Sequence, residues 1–271
     1  MERVIAQLKD VALAYFAAEH VTAHIEGDEI VTERGRYGLV NLAQHLRQAP
    51  GSHWEAKVRA HFDRLRSVSV DVPETYYAAR SRLRVRLAAV DTHGAVTRSV
   101  TDSLHEVLML KIPEGGMSVT DRALATWNVN IDQIWHDARA HTRWDEPHES
   151  SILKSPAGDE YTRVEGSFWS SSLLLDLGET VPESQMTAGT LAIIPRQDLL
   201  VFRTLDHAPP WTDLLTLSVA MFELGPGSIT PDVFWWHSGT VERVIEWKES
   251  GPVPRWSERF RTAIDGLKPA A

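Results

Sequence analysis

The sequence predicts an α+β protein, with mixed sheets of hairpins and amphipathic helices in two packed lobes, residues 1–148 and 149–271. Three observations carry that expectation. Apolar residues recur at helical spacing in several segments, and short apolar runs come in pairs around turn residues. Few strands are separated by a single helix in the regular rhythm of a doubly wound sheet. With 271 residues, 43% hydrophobic and 24% charged, the chain can bury a sizeable core.

Val4, Ile5, Leu8, Val11, Ala12, Tyr15 and Phe16 form one stripe, which predicts a helix over about residues 3–18. Apolar residues 21–25 and 30–31 flank Glu26, Gly27, Asp28 and Glu29, a hairpin with a glycine turn. Two glycines among residues 34–38 read as a turn into the next element. Helices are then expected near 37–48 and 53–66, parted by Pro50 and Gly51, with Ser52 as the N-cap of the second. Val72 and Pro73 interrupt, and residues 80–87 alternate strictly between arginine and a serine or apolar residue, which predicts a strand. Residues 107–112 suit a buried strand ending in a proline–glycine turn. Thr120 or Asp121 caps a short helix stopping near Asn128, and Asn130 caps another whose core face is Ile131, Ile134, Trp135 and Ala138.

Residues 145–159 are polar with two prolines and read as a linker between the lobes. Residues 190–194 and 199–202 flank a second hairpin turn. A helix over 211–224 stops at Gly225, Pro226 and Gly227. Residues 233–236 and 241–247 make two late strands through Ser238 and Gly239, and a short helix and tail lie beyond Pro252.

Residues 104–113, 119–128 and 131–143 resemble an uncharacterised bacterial family, catalogued as domain of unknown function 1444. The likeness lies in an apolar strand with a proline turn, a helix carrying Thr120, Asp121, Leu124 and Trp127, and a second amphipathic helix. Asn128 stands where that pattern has glycine. Asn41, Leu42 and residues 189–198 look similar too. The resemblance implies an α+β fold and a bacterial source, and no activity.

Several function classes find no support in the sequence. A net charge of −9 argues against nucleic acid as the partner, because phosphate binding needs a basic surface. No apolar run reaches the roughly 20 residues that span a bilayer, so no membrane association is expected. The first 16 residues carry Glu2 and Asp10 and no cleavage site, so they do not read as an export signal, and a cytoplasmic location is the default. With no cysteine there is no disulfide and no thiolate nucleophile or metal ligand. The elbow, phosphate-loop and dinucleotide motifs are missing, so no cofactor is expected.

The charge is uneven: residues 57–98 hold nine Lys/Arg against four Asp/Glu. If residues 80–87 form a strand, Arg80, Arg82, Arg84 and Arg86 make one cationic row about 6.5–7 Å apart. Such a row requires internal carboxylates, solvent, a small anionic ligand or an acidic protein. Trp235 and Trp236 adjoin on a strand, so one is expected to face inward and the other outward, as a contact aromatic. The expected function is therefore a non-catalytic binding or protein-interaction protein using those six residues. The alternative is a hydrolase with a dispersed histidine, carboxylate or metal site drawing on His20, His24 or His105. In a strand the first two would stand about 13 Å apart, too far for one metal. Ser151 and Lys154 match Ser-x-x-Lys but lack its companion motifs.

Overall fold

The computed structural model describes residues 2–33, 35–47, 49–67, 72–89, 94–113, 115–155, 158–181, 187–207, 211–225 and 227–267. The chain folds into two compact units, Met1–Asp71 with Gly225–Gly227, and Val72–Leu224 with Ser228–Ala271.

In the first unit, α1 (Glu2–Ala18) leads into β1 (Ala23–Glu26), β2 (Glu29–Thr32) and β3 (Gly35–Gly38). Next come α2 (Val40–Arg47), a 3-10 turn (Gly51–His53) and α3 (Trp54–Ser67). The α1 stripe is what its spacing requires: Ile5, Leu8, Ala12, Tyr15 and Phe16 are all buried. They pack with Ile30, Leu42, Leu46, Val58 and Phe62. The Tyr15 and Phe62 rings stack at 5.3 Å, and the Tyr15 hydroxyl donates to Asp63 Oδ1 at 2.6 Å. Gly27 turns the β1–β2 hairpin at φ 55°, which an L side chain resists. Two expectations change. The turn expected at 34–38 contains β3, paired with β2 along its whole length. Ser52 lies inside the 3-10 turn, whose backbone bond from His53 N to Pro50 O starts α3 in place of a serine cap.

The second unit begins with α4 (Tyr76–Ala79), a 3-10 turn (Arg80–Arg82) and β4 (Leu83–Ala88). Then come β5 (Thr97–Ser99), β6 (His105–Ile112), β7 (Gly115–Ser118), α5 (Asp121–Trp127) and α6 (Ile131–Trp144). It continues through β8 (Glu149–Lys154), β9 (Glu160–Glu165), a 3-10 segment (Ser170–Asp176), α7 (Leu177–Thr180), β10 (Thr190–Arg196) and β11 (Leu199–Thr204). It ends with α8 (Trp211–Leu224), β12 (Val233–His237), β13 (Thr240–Lys248), β14 (Gly251–Pro254) and α9 (Glu258–Asp265). All pairing is antiparallel. One sheet runs β4–β6–β5, with β7 also on β6, and the other β14–β13–β12–β10–β11–β9–β8. Helices beside antiparallel sheets make this an α+β fold.

Local chemistry explains the joints. Thr120 caps α5 by accepting from Ala123 N at 3.3 Å, and Asn128 closes it in the left-handed conformation, as glycine would. Asn130 caps α6 by accepting from Asp132 N at 2.8 Å. The stretch expected as a linker is instead the β8–β9 hairpin, in continuous register from Glu149↔Glu165 to Lys154↔Glu160. Its polar composition reflects an edge strand whose side chains are almost all exposed.

Two cores flank the seven-stranded sheet. Leu83, Val85 and Leu87 of β4, Leu108 and Leu110 of β6, and Ile134 and Trp135 of α6 pack with Ala192, Phe234 and Trp236 of the larger sheet. On that sheet's opposite face, Leu191, Ile193, Val233 and Trp235 pack with Leu214 of α8 and Phe260 of α9. Both faces of its central strands are therefore covered.

Candidate functional site

The arginine row exists only in part. Thr75 accepts from Ala78 N at 3.4 Å and starts α4, and helical turns run on through Arg82, so β4 begins at Leu83. Arg80 and Arg82 thus sit on a 3-10 turn, and the expected four-residue strand row is corrected to two residues, Arg84 and Arg86. Arg80 Nε bonds Asp137 Oδ2 at 2.6 Å, and Arg82 Nε donates to the Lys111 carbonyl at 3.1 Å.

Alternation does hold within β4. Leu83, Val85 and Leu87 enter the core, while Arg84 and Arg86 take the other face. That face is not open to water. Ala88, Val107, Met109 and Trp169 form a buried cluster there, and Trp169 lies so close over Gly116 that a Cβ at that position would overlap its ring. Arg84 is consequently 3% exposed. Its Nε meets Glu146 Oε1 at 2.6 Å, and its Nη1 donates to the carbonyls of Ser81 and Leu83 at 3.0 and 2.7 Å. Lys111 Nζ shares the same Glu146 oxygen at 2.7 Å, and Ser167 Oγ donates to the other at 3.4 Å. Burial opposes ionisation of Glu146, but Lys111 and Arg84 overcome it and hold the carboxyl below its usual range. The edge of β4 is sealed too, since Val85 N donates to Thr142 Oγ1 of α6 at 2.8 Å.

Arg86, two residues along on the same face, differs. Its Nε is shut off from solvent and bonds nothing. Among the described arginines that are not exposed, it alone has neither a hydrogen bond nor an ion pair. Burial pushes its guanidinium below the usual value, with no charge partner opposing.

Trp235 and Trp236 alternate as expected, yet both are buried, at 0% and 6% exposure. The outward member meets the second core instead of solvent. The Trp235 indole donates to the Ala188 carbonyl at 2.9 Å, stacks on His237 at 5.1 Å and lies under the Arg259 guanidinium. The contact patch expected there is not open on either face.

The other buried charges are saturated. Asp137 accepts from Tyr76, Arg80, Gln133 and His136; these hydrogen bonds outweigh its burial and hold it at about 2. Burial and the Asp137 carboxylate push the Tyr76 phenol up to about 12. Glu106, 1% exposed, is gripped by Arg139 through two bonds of 2.7 Å. Asp176 is raised by burial, against the pull of Arg139 and Arg143.

An open cavity of about 500 Å³ lies beside β8, lined in part by Ile152, Glu160, Thr162, Arg203 and Asp206. Its charges close on one another: Lys154 with Glu160, Arg203 with Asp159, and His207 with Asp206 at 2.6 Å. Ser155 is nearby in sequence, but its hydroxyl donates to Asp213 at 2.5 Å and not to an imidazole, so Ser155 is not part of a serine–histidine pair. Ser151 and Lys154 point to opposite faces of β8, which removes the Ser-x-x-Lys dyad. His20 lies in the turn just past α1 at φ 56°, His24 is exposed and meets Glu26 at 3.0 Å, and His105 opens β6. Among the described residues no three His, Asp or Glu side chains gather to hold a metal.

Sequence reasoning did not pair any of three carboxylates of these networks with an arginine. Asp137 interrupts the apolar face of α6, and Glu106 shares a β6 face with Leu108 and Leu110; both interruptions are readable signals. Glu146 follows a helix end and carries none. Comparison with protein families, curated proteins and solved structures finds no match to this chain.

Proposed function

We propose that this chain is a non-catalytic binding protein whose ligand or partner presents anionic groups. One observation carries the reading: the buried charges are matched with a cation left over. Asp137, Glu106 and Glu146 each hold an arginine, while Arg86 has no acceptor among the described residues. Carboxylates pinned by arginine make poor general bases, because the ion pair lowers their basicity. An unmatched guanidinium is suited to binding.

The test is thermal unfolding against a panel of inorganic phosphate, acetate, citrate and a polyglutamate peptide, with ionic strength held constant by chloride. At least one anion should raise the midpoint in a saturable way, because a ligand that binds only the native state stabilises it by mass action. The reading fails if no anion gives a saturable rise, or if the purified protein turns over ester or phosphoester substrates above the uncatalysed rate.

A further inference from the structure

We infer that Arg86 is the oxyanion contact of this protein, gripping one carboxylate or phosphate group through its two terminal amino groups. The inference rests on the binding reading above and narrows it to one side chain and one ligand chemistry.

Strand β4 supplies its own control. Arg84 and Arg86 share one face, and their register partners on β6 are Met109 and Val107. Arg84 is buried and fully matched by Glu146, Lys111's neighbour on that face. Arg86 is largely buried and matched by nothing among the described residues. Glu146 is already engaged by Arg84, Lys111 and Ser167, and no bond from Arg86 reaches it. A buried cation without a counter-charge destabilises the empty fold. An arriving anion removes that penalty and adds charge-assisted hydrogen bonds.

The surroundings restrict the ligand. Nε is closed off, so an anion approaches from the far end of the fork, where two parallel N–H donors match the spacing of two oxygens on carboxylate or phosphate. Ala88, Val107, Met109 and Trp169 fill the rest of the face. With that face occupied by apolar side chains, the anionic group meets the fork from the solvent side and the body of the ligand stays at the surface.

The experiment compares wild type with Arg86→Met and Arg86→Lys, following the unfolding midpoint as inorganic phosphate or acetate replaces chloride at constant ionic strength. For the wild type, a saturable rise of about 5 °C or more is expected at hundredfold excess over Kd. Arg86→Met should melt higher than wild type in chloride alone and lose the response. Arg86→Lys keeps the charge without the fork and should need at least tenfold more anion, which keeps the test decisive if the methionine variant folds poorly. A response to phosphate alone assigns the site to phosphate groups, and one to acetate alone assigns it to carboxylates. An undiminished response in both variants overturns Arg86 as the contact while leaving the binding reading intact. A wild type that answers neither probe overturns the site, and citrate and polyglutamate then decide the broader reading.

Discussion

Glu146→Leu is the most informative single perturbation of the fold, because it leaves a buried guanidinium with only the half-exposed Asp145 carboxylate, 3.7 Å away, as counter-charge. Arg84 and Glu146 side chains are each 4% exposed and meet at 2.6 Å. Removing one member of such a buried pair costs about 3–5 kcal/mol, since an uncompensated charge remains out of water. Arg84→Met should cost less, roughly 2 kcal/mol, because Lys111 still neutralises Glu146 at 2.7 Å and is itself 42% exposed. The double variant leaves only Lys111 without a partner, and that side chain can turn to solvent. It should fall within about 1–2 kcal/mol of wild type, giving a coupling energy of at least about 2 kcal/mol. Equilibrium urea unfolding at neutral pH measures all three. Nine of the ten tryptophans lie outside the first unit, so fluorescence reports the unit that carries the pair. A Glu146→Leu cost under 1 kcal/mol, or strictly additive single costs, would refute the reasoning.

Asp137→Asn tests the second network. The folded carboxyl sits at about 2, depressed from its ordinary value, so its stabilisation is present above about pH 4 and fades as pH falls toward 2. The wild type should exceed the variant by about 1–2 kcal/mol at pH 7, with the gap closing on acidification; a gap independent of pH would contradict this. Gly189→Ala should destabilise by several kcal/mol, for Gly189 has φ +84° and a Cβ there would overlap the Trp235 indole and lie 2.7 Å from the Trp236 carbonyl oxygen. A near-native urea midpoint would show the Trp235 wall to be softer than described. Tyr76 and Tyr161 are both raised to about 12, chiefly by burial. An ultraviolet titration of the native protein should show two phenols ionising after the rest, and a single phase near pH 10 with native fluorescence retained would count against it.

The sequence was most legible where structure depends on neighbours along the chain. The α1 stripe, the Gly27 turn, the Thr120 and Asn130 caps and the left-handed Asn128 all follow from interactions spanning a few residues. What it missed is set by distant partners. Residues 97–99 are a strand only because β6 offers its other edge, with Thr97↔Val107 and Ser99↔His105. The segment 149–154 is a strand only because β9 pairs with it. Neither carries an apolar signature, since the first is mostly half-buried and the second exposed.

The site followed the same division, and its two misreadings share one cause. Alternation assigned Arg84 and Arg86 to one face of β4 and Trp235 and Trp236 to opposite faces of β12, and those assignments hold. Alternation says which side a residue takes and nothing about what covers that side. Trp169 reaches the β4 face from 85 residues further on, and Phe260 reaches Trp235 from α9, so neither surface is the open one expected. The same covering changes what an arginine there means. On an open sheet four guanidinium groups in water need no partner; under a tryptophan each requires an acceptor. Arg84 finds one 62 residues away in Glu146, and Arg86 finds none among the described residues. The proposed binding role therefore rests not on the row of arginines visible in the sequence but on the one buried arginine left unmatched among the described residues.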